Sequence, residues 1–453
     1  MSTRSDVDAL VVGAGIAGLG AARELERRGA EVLLVEAEDA PGGVMRTDEV
    51  DGYRIERGPS SLLLRAPLLR GLERMGLADA LVRAAPASRS RWLLRQGRLL
   101  EVPLGALGLM RTPLLSGAAK RRLLREPFVA RGDGRDETVA EFVTRRLGAE
   151  LVDALVGPFL TGVYAGDERQ LGAEAVFPAL VRAEREHGSL VAGLLASALR
   201  RRDRGRAGTF SWPGGLGELA RALAAGLRSE PRYATRVRRI ESIDAGFRVA
   251  IASRGGSEEW VVRRLVMATP AAVASDLLRG IAAEAAAWID SIEYAPLATV
   301  GFGAGSDAFR RKSPGFGFLV PRGEGRGLLG CLFISELFSD RAPPERRLLH
   351  CMLGGVRTPE VVDLDDSEIA ALASEELDGP LGLAAPLDAL QVRRWPRAVA
   401  QPKPGHAAGL RDARARLVAR GPIALAGGYT DGVSVADSFA SGVAAAAQLA
   451  PAG

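Results

Sequence analysis

The sequence of 453 residues is poor in cysteine, histidine and lysine. Its two cysteines, Cys331 and Cys351, cannot build a disulfide framework, and they lack the CxxC spacing of a metal site or a redox dithiol. We expect both to be buried free thiols. The three histidines are scattered along the chain without the spacing of metal ligands. The sequence therefore predicts neither a metal site nor a disulfide-stabilised secreted fold.

Long uncharged stretches are also missing. The longest candidate apolar helix, Gly188–Leu199, is far shorter than the ~20 residues that a membrane-spanning helix needs. The N-terminal segment is polar and leads straight into a predicted strand, which is not the pattern of a signal or transit peptide. We therefore expect a cytoplasmic protein that makes at most a peripheral contact with the inner face of the cell membrane.

The charge is basic but nearly balanced. Only three of the 60 basic residues are lysines, and 55 acidic residues leave a net charge of +5. An arginine excess with this much alanine and glycine is typical of a GC-rich genome. Nucleic acid is not an expected partner, because no nucleic-acid-binding motif accompanies the charge. The length suits two or three lobes rather than one core.

The N-terminal segment predicts a βαβ unit, the opening of a doubly wound α/β sheet. Asp8–Val12 and Val32–Val35 are predicted to be buried strands, and Ile16–Arg28 the helix between them, closed by Gly29. The turn after the first strand fits GxGxxG and consists of Gly13, Ala14, Gly15, Ile16, Ala17 and Gly18. In this context the motif is typical of a dinucleotide site, with the diphosphate at the helix N-terminus.

The three glycines of this turn have different functions. Gly13 permits the tight turn, Gly15 lets a diphosphate approach the backbone, and Gly18 lets the helix pack on the sheet. Glu36 ends the second strand, where a carboxylate can accept hydrogen bonds from ribose hydroxyls and would repel a 2′-phosphate. The turn and Glu36 together leave the choice between FAD and NAD open.

Two further segments favour FAD. Gly42 and Gly43, followed by Arg46, resemble the FAD segment of the superfamily of amine oxidases, phytoene desaturases and protoporphyrinogen oxidases. Near the C-terminus, Ala424–Gly428 resembles the returning strand that closes over the flavin. Many relatives carry an acidic residue or asparagine where this chain has Gly428, so a polar contact is missing or replaced at that point.

The middle of the chain is similar to the family of protoporphyrinogen IX and coproporphyrinogen III oxidases, with its motifs in the same order. The matching segments are Gly58–Ser61, Arg91–Leu93, Leu155–Gly166, Phe210–Leu216, Leu265–Pro270, Gly315–Pro321 and Phe338–Pro343. The resemblance runs nearly from end to end.

The resemblance implies an α/β (α+β overall) architecture of three parts. A Rossmann-like FAD-binding domain of the p-hydroxybenzoate-hydroxylase type is expected at 1–84, 206–292 and 393–453. A mixed-sheet substrate domain is expected at 85–103 and 293–392, and a helical, membrane-associating lobe at 104–205. Within that lobe, Leu104–Arg125 has an apolar face flanked by arginines, which suits an anionic bilayer and equally suits an ordinary core helix with a basic solvated face.

The resemblance also implies the substrate contacts. Arg91 matches the arginine that binds a propionate, with the planar fork that carboxylates require. Gly162 matches a position whose carbonyl faces the macrocycle. Leu319 and Phe338 match apolar positions that sandwich the tetrapyrrole, although plain core packing is an alternative for both. Ser60 falls where relatives carry a different polar residue, so this substrate contact differs here.

No catalytic side chain is expected, because the flavin performs the redox chemistry. Besides the glycine turn and Glu36, the expected cofactor contacts are Gly42, Gly43, Arg46, Gly58, Pro59, Ser60, Ser61, Val237, Trp395, Gly427, Val433, Ser434 and Val435. The last three would offer backbone N–H groups to the flavin from a helix N-terminus.

The function implied by the resemblance is the FAD-dependent, six-electron oxidation of protoporphyrinogen IX to protoporphyrin IX in haem biosynthesis. Coproporphyrinogen III is the alternative substrate, and a quinone the alternative to oxygen as electron acceptor. A carotenoid or amine oxidoreductase and a non-enzymatic flavin-binding protein are more remote alternatives. The expected partners are a porphyrinogen, molecular oxygen and a membrane surface, with a homodimer and transfer of product to ferrochelatase as further expectations.

Overall fold

The computed structural model describes residues 3–103, 105–200, 208–310, 315–325 and 327–449. Its strands are β1 (Thr3–Val12), β2 (Val32–Val35), β3 (Thr47–Val50), β4 (Tyr53–Glu56), β5 (Leu62–Leu63), β6 (Val82–Arg83), β7 (Arg91–Arg95), β8 (Arg98–Glu101), β9 (Thr209–Ser211), β10 (Arg236–Ile243), β11 (Gly246–Ser253), β12 (Gly256–Met267), β13 (Tyr294–Gly305), β14 (Gly317–Leu319), β15 (Leu328–Phe333), β16 (Arg346–Gly354), β17 (Asp388–Ala400) and β18 (Ile423–Leu425). Its α-helices are α1 (Ile16–Arg27), α2 (Ala66–Arg74), α3 (Gly105–Arg111), α4 (Gly117–Leu124), α5 (Val139–Leu147), α6 (Ala149–Leu151), α7 (Gly157–Tyr164), α8 (Ala173–Val176), α9 (Pro178–His187), α10 (Leu190–Arg200), α11 (Leu216–Ala225), α12 (Ala271–Leu278), α13 (Ala283–Asp290), α14 (Ile334–Leu337), α15 (Asp366–Leu381), α16 (His406–Val418) and α17 (Val435–Leu449).

A six-stranded sheet contains the N-terminal βαβ unit. Its strands run in the order β10-β11-β12-β1-β2, and β18 pairs with β12. β1 is parallel to β2 and β12, with Val12 aligned with Val35 and Met267, and β18 is parallel to β12. The carboxyl ends of these four strands therefore meet at one edge, where open α/β sheets bind their ligands.

Helices α1 and α17 pack closely through small residues. A Cβ on Gly442 would lie 1.9 Å from the backbone oxygen of Ala17, and one on Gly20 would lie 2.9 Å from that of Phe439. This approach of two helix backbones therefore requires glycine at both positions. Leu19 and Phe439 belong to the apolar core that forms around the contact.

A seven-stranded sheet runs in the order β17-β13-β16-β15-β14-β7-β8. Aligned residues of paired strands share a face, and successive residues of one strand alternate between the faces. We call one side the helix face, because it packs against α15. Its central row is apolar and consists of Trp92, Phe318, Cys331, Cys351, Val300 and Val392.

The opposite side of this sheet is contacted by the hairpin β3–β4, and we call it the hairpin face. Its central row consists of Arg91, Gly317, Leu332, His350, Gly301 and Gln391. Asp48 of the hairpin accepts hydrogen bonds from Gln391 Nε2 at 2.7 Å and from Arg393 at 3.0 Å. A Cβ on Gly301 would lie 3.1 Å from Ile55. The hairpin β3–β4 therefore packs directly on the seven-stranded sheet.

Residues 105–200 are helical and have a core of their own. Arg146 is fully buried beneath this core and pairs with Glu126 and Glu184. Glu126 also accepts a hydrogen bond from the backbone N–H of Leu190 at 2.8 Å. The predicted segment Leu104–Arg125 forms two short helices, α3 and α4, rather than one, and its first residue lies outside the described part of the chain.

Several predicted elements are confirmed, with small shifts at their ends. The second strand has the predicted bounds, and α1 ends at Arg27, one residue earlier than expected. Both cysteines are buried free thiols, as predicted. The sequence also predicts a charged, glycine-containing hinge at 200–208, and this segment falls mostly outside the described residues. β17 crosses the expected domain boundary between residues 392 and 393, because the whole strand pairs with β13.

Candidate active site

The glycine turn after β1 has the geometry that the motif predicts. A Cβ on Gly18 would lie 1.8 Å from the backbone oxygen of Gly13, so only glycine permits this contact between helix and strand. Gly13 has a φ of 101°, a conformation that favours glycine. A Cβ on Gly15, in contrast, would meet no atom within 4 Å. The space in front of Gly15 is open at the N-terminus of α1, where a diphosphate fits.

Glu36 lies beside this turn at the end of β2. Its carboxylate accepts hydrogen bonds from the backbone N–H groups of Ala14 at 2.6 Å and Glu38 at 2.9 Å. Each carboxylate oxygen has two acceptor positions, so the group retains capacity for ribose hydroxyls. The segment that leads into β10 runs alongside, because the N–H of Thr235 donates to the backbone oxygen of Glu36 at 2.8 Å. This places Val237 in the neighbourhood of Glu36.

The loop containing Gly42 and Gly43 lies against the glycine turn. The N–H of Gly42 donates to the oxygen of Ala14 at 2.8 Å, and a Cβ on Gly43 would lie 3.5 Å from the Cα of Gly15. Gly42 and Gly43 have φ values of 114° and 61°. The two glycine segments, separated in sequence, therefore form one surface around the expected diphosphate position.

Arg46 follows this loop and has an unused donor. Its terminal nitrogens donate to Asp39 at 3.0 Å and to the backbone oxygen of Ala40 at 2.8 Å. Its Nε is buried and has no hydrogen-bond partner among the residues that the structure describes. This nitrogen is therefore available to donate to a ligand.

The segment Gly58–Ser61 closes the same region from the β4 side. A Cβ on Gly58 would lie 2.6 Å from the backbone oxygen of Val44, so Gly58 and Pro59 follow the Gly42–Arg46 loop closely. Ser60 is buried and Ser61 half-buried. The segment continues into β5, which pairs with β9.

The C-terminal segment approaches from the end of β18. Gly427 has a φ of 130°, and its N–H donates to Ser441 Oγ at 2.9 Å. A Cβ on Gly428 would be 3.7 Å from its nearest neighbours, so a side chain would fit there. Glycine at this position is therefore not imposed by crowding.

Val433, Ser434 and Val435 lie at the N-terminus of α17, as the prediction requires. Ser434 Oγ donates to Asp437 at 2.6 Å and accepts from the backbone N–H of Asp437 at 3.1 Å. The Ser434 side chain therefore caps the helix. The backbone N–H groups of this segment are the groups that are available for a contact with the cofactor.

Arg91 and Leu319 lie on the hairpin face of the seven-stranded sheet. Arg91 is aligned with Gly317, and Leu319 follows two residues later on the same side. The Arg91 guanidinium lies 4.8 Å from the ring centre of Phe316. Its side chain is exposed, yet desolvation by surrounding atoms lowers the pKa of Arg91.

Gly162 of α7 contacts Leu319. A Cβ on Gly162 would lie 2.6 Å from Leu319 Cδ2, so the absence of a side chain allows α7 to approach the sheet. The structure thus brings two predicted substrate residues together. Phe338 lies elsewhere, buried with Leu337 and Ala84 in a small apolar cluster. Trp395 of β17, which is aligned with Leu297 of β13, is half-buried.

Thr269 and Tyr164 lie in matching segments but were not predicted as site residues from the sequence. Thr269 lies two residues after the end of β12, and a Cβ on Gly13 would lie 3.5 Å from its Cγ2. The buried hydroxyl of Thr269 has no hydrogen-bond partner within the described ranges. Tyr164 ends α7, and burial, with a contribution from Asp437, raises its pKa to about 12. For Thr269, the sequence signal of a ligand contact was its position just beyond the carboxyl end of a strand.

These features fit FAD. Glu36 would hold the ribose, the backbone around Gly15 and the free Nε of Arg46 would hold the diphosphate, and the N-terminus of α17 would face the flavin. Among the described residues, no group of histidine, cysteine or acidic side chains could hold a metal ion. In the same part of the chain, no helix is long and apolar enough to cross a membrane.

Comparison with known proteins agrees with this geometry. The family model described as flavin containing amine oxidoreductase matches residues 16–450. The chloroplastic protoporphyrinogen oxidase of Nicotiana tabacum is 32% identical over 95% of this chain and 83% of its own length. Coproporphyrinogen III oxidase of Bacillus subtilis is 26% identical over 96% of both chains.

A crystal structure assigned as a protoporphyrinogen oxidase from Exiguobacterium sp. 255-15 superposes with a TM-score of 0.80. It is 27% identical and covers 99% of both chains. The chain is therefore an FAD-dependent oxidoreductase. The chain belongs to the flavin-containing amine oxidoreductase family and, within it, to the family of protoporphyrinogen and coproporphyrinogen III oxidases.

Proposed function

We propose that the chain oxidises a porphyrinogen to the porphyrin in haem biosynthesis, with protoporphyrinogen IX as the first candidate. The observation that carries the proposal is Arg91, which matches the family's propionate-binding arginine and lies with Leu319 on the hairpin face. A porphyrinogen combines carboxylates with a large apolar ring. A desolvated arginine beside an apolar surface suits both features.

In this proposal the chain binds and orients the substrate. The Arg91 guanidinium, supported by the ring of Phe316, donates to a propionate. Leu319 offers an apolar contact, and the carbonyl of Gly162, which lies beside Leu319, faces the macrocycle. Bound FAD supplies a two-electron acceptor for hydride, with oxygen or a quinone as the terminal acceptor.

Phe338 has a different position from these contacts. It is 2% exposed in its apolar cluster, with the guanidinium carbon of Arg341 5.5 Å from its ring centre. Its cluster includes Phe316, the residue beneath Arg91. We therefore infer that Phe338 supports the substrate contact through Phe316. Ser60 is also buried, which favours a cofactor contact over a substrate contact.

The finer architecture is proposed on the same basis. The six-stranded sheet, with its parallel centre and crossing helices, supports an FAD domain of the p-hydroxybenzoate-hydroxylase type. The seven-stranded sheet supports a substrate domain, and the helical core at 105–200 supports a third lobe. The proposed division keeps the boundaries expected from the sequence, with β17 shared between the first two parts.

A peripheral membrane contact of the helical lobe is a further part of the proposal. The lobe exposes large apolar side chains at Leu107, Leu124, Phe128, Phe159, Val163, Val191, Leu194 and Leu195. Lys120, Arg121 and Arg125 lie beside Leu124 in or next to α4. Apolar side chains flanked by basic ones suit an anionic bilayer surface. Binding to vesicles of anionic lipid, compared with neutral vesicles, tests this contact.

Substrate oxidation is tested with both porphyrinogens. The purified, FAD-loaded protein is incubated with protoporphyrinogen IX or coproporphyrinogen III, and porphyrin fluorescence and oxygen uptake are recorded with and without a quinone. We expect fluorescence above the rate of spontaneous oxidation. The ratio of kcat/KM values then identifies the substrate. A loaded protein that oxidises neither compound would falsify the proposal and favour an amine, carotenoid or purely flavin-binding role.

A further inference from the structure

A buried carboxylate, Glu56, joins three separate segments of the chain. It is 3% exposed and lies opposite Thr47 across the hairpin β3–β4. Its two oxygens accept hydrogen bonds from Thr47 Oγ1 and from the backbone N–H of Leu216, both at 2.8 Å. Thr47 Oγ1 in turn accepts from the N–H of Gly217 at 3.0 Å. The hairpin therefore caps the first N–H groups of α11.

Helix α11 has no cap of its own, because the residue before it is Gly215. Nor could that position carry a side chain. A Cβ on Gly215 would lie 2.2 Å from Thr47 Oγ1, and one on Gly217 would lie 2.8 Å from the backbone nitrogen of Thr47. The glycines of this motif thus make room for the threonine that replaces the missing cap.

The loop before α11 is also held from its other side, by residues between α14 and β16. The N–H of Gly214 donates to Asp340 at 3.2 Å. The fully buried Arg341 donates to Ser211 Oγ at 2.8 Å and to the backbone oxygen of Trp212 at 2.9 Å. Two motifs of the middle of the chain, around Gly214 and Asp340, are therefore parts of one clamp centred on the hairpin.

The clamp is connected to the expected cofactor contact at Arg46 through the backbone of the hairpin. Thr47 directly follows Arg46, whose buried Nε has no partner in the described part of the chain. Arg57, next to Glu56, donates its backbone N–H to the oxygen of Arg46 at 2.8 Å. Arg46 is thus fixed on both strands of the hairpin by residues adjacent to the clamp.

We propose that Glu56 is a positioning residue of the FAD site, which holds Thr47 against α11 and thereby keeps Arg46 oriented toward the cofactor. The proposal concerns cofactor retention and does not depend on the identity of the substrate. It assigns to the matching segment Phe210–Leu216 the role of supporting the FAD segment around Gly42, Gly43 and Arg46.

The ionisation of Glu56 offers a signature of this role. Burial raises its pKa to about 7, with the charge of Asp340 raising and that of Arg341 lowering it. Arg57 faces away from the clamp and binds Asp48 at 2.6 Å. The ionised carboxylate accepts both hydrogen bonds, whereas protonation turns one oxygen into a donor. We therefore expect FAD to dissociate faster below pH 7 than above it.

The test measures the rate of FAD release from holoenzyme, followed by the recovery of flavin fluorescence. We expect Glu56→Gln and Thr47→Val to accelerate release about tenfold, since each disturbs a hydrogen bond to a charged group. Thr47→Ser keeps the hydroxyl and should stay within about twofold of the wild-type rate. Glu49→Gln, at an exposed position of the same hairpin, is the matched control and should have no effect.

A second readout separates positioning from general support of the fold. The stabilisation that FAD confers, measured as the difference in Tm between loaded and FAD-free protein, should shrink in Glu56→Gln and Thr47→Val. The pH dependence of FAD release should disappear in Glu56→Gln. Equal loss of Tm in loaded and FAD-free forms, with an unchanged release rate, would overturn the proposal.

Discussion

The two faces of the seven-stranded sheet differ sharply in composition, although the same strands build both. The row across the helix face contains only apolar residues and two thiols, all packed against α15 or its cluster. The equivalent row across the hairpin face includes an arginine, a histidine, a glutamine and two glycines. One face packs into the core with α15, and the other contacts the hairpin β3–β4 and carries the proposed substrate contacts. Substitutions on the two faces should therefore separate stability from function.

The largest expected change in the free energy of unfolding comes from a substitution on the helix face. Phe302 is 1% exposed there, and Phe302→Ala should lower the free energy of unfolding by about 4 kcal/mol, through lost burial and the cavity left behind. Urea denaturation measures this change. Under conditions where the variant stays folded, KM and FAD release should match the wild type. A large change in KM would show that the two faces are not separable.

A pH effect of similar size is expected on the hairpin face. Burial lowers the pKa of His350 to about 4, so the folded protein binds this proton less readily than the unfolded chain. Stability should fall by on the order of 3 kcal/mol as the pH decreases from 6.5 to 4, and no further change from this group is expected above 6.5. His350→Leu should flatten that part of the pH profile. An unchanged slope in the variant would assign the effect to other groups.

Arg91→Ala should have the opposite pattern to Phe302→Ala. The guanidinium is exposed in the free protein, so the free energy of unfolding should change by less than about 0.5 kcal/mol. KM for the porphyrinogen should rise about tenfold to a hundredfold, the value of a charge-assisted hydrogen bond of about 2 kcal/mol. Arg98→Ala, an exposed arginine on β8, is the control. An unaltered KM would remove Arg91 from the substrate site.

The smallest effect tests the contact between α7 and the hairpin face. Gly162→Ala places a methyl group against the tip of Leu319, which is flexible enough to move, so we expect a loss of about 1 kcal/mol in unfolding free energy. The double variant with Leu319→Ala should relieve this strain. Additive losses in the double-mutant cycle would contradict a direct contact.

The elements that could best be predicted from the sequence are those whose defining residues lie close together in the chain. The glycine turn, its two strands and its helix depend on residues within about one βαβ unit, and the structure confirms them. Glu56 is different. Its partner Leu216 is 160 residues away, and no spacing within the chain indicates that a hairpin carboxylate caps a distant helix. Likewise Phe338 matches a substrate motif, yet its burial follows from packing with Ala84 and Leu337.

The sequence by itself determined the chemistry of the cofactor. Glycine is required wherever a diphosphate or a second backbone must approach, and such steric requirements are written in residue type and spacing, as at Gly13, Gly15 and Gly18. Only the tertiary structure decided which polar groups remain free. The carboxylate of Glu56 and the hydroxyl of Ser434 each form a capping contact, while the Nε of Arg46 has no partner among the described residues. The availability of a donor depends on every neighbour that folding brings to it, and those neighbours come from distant parts of the chain.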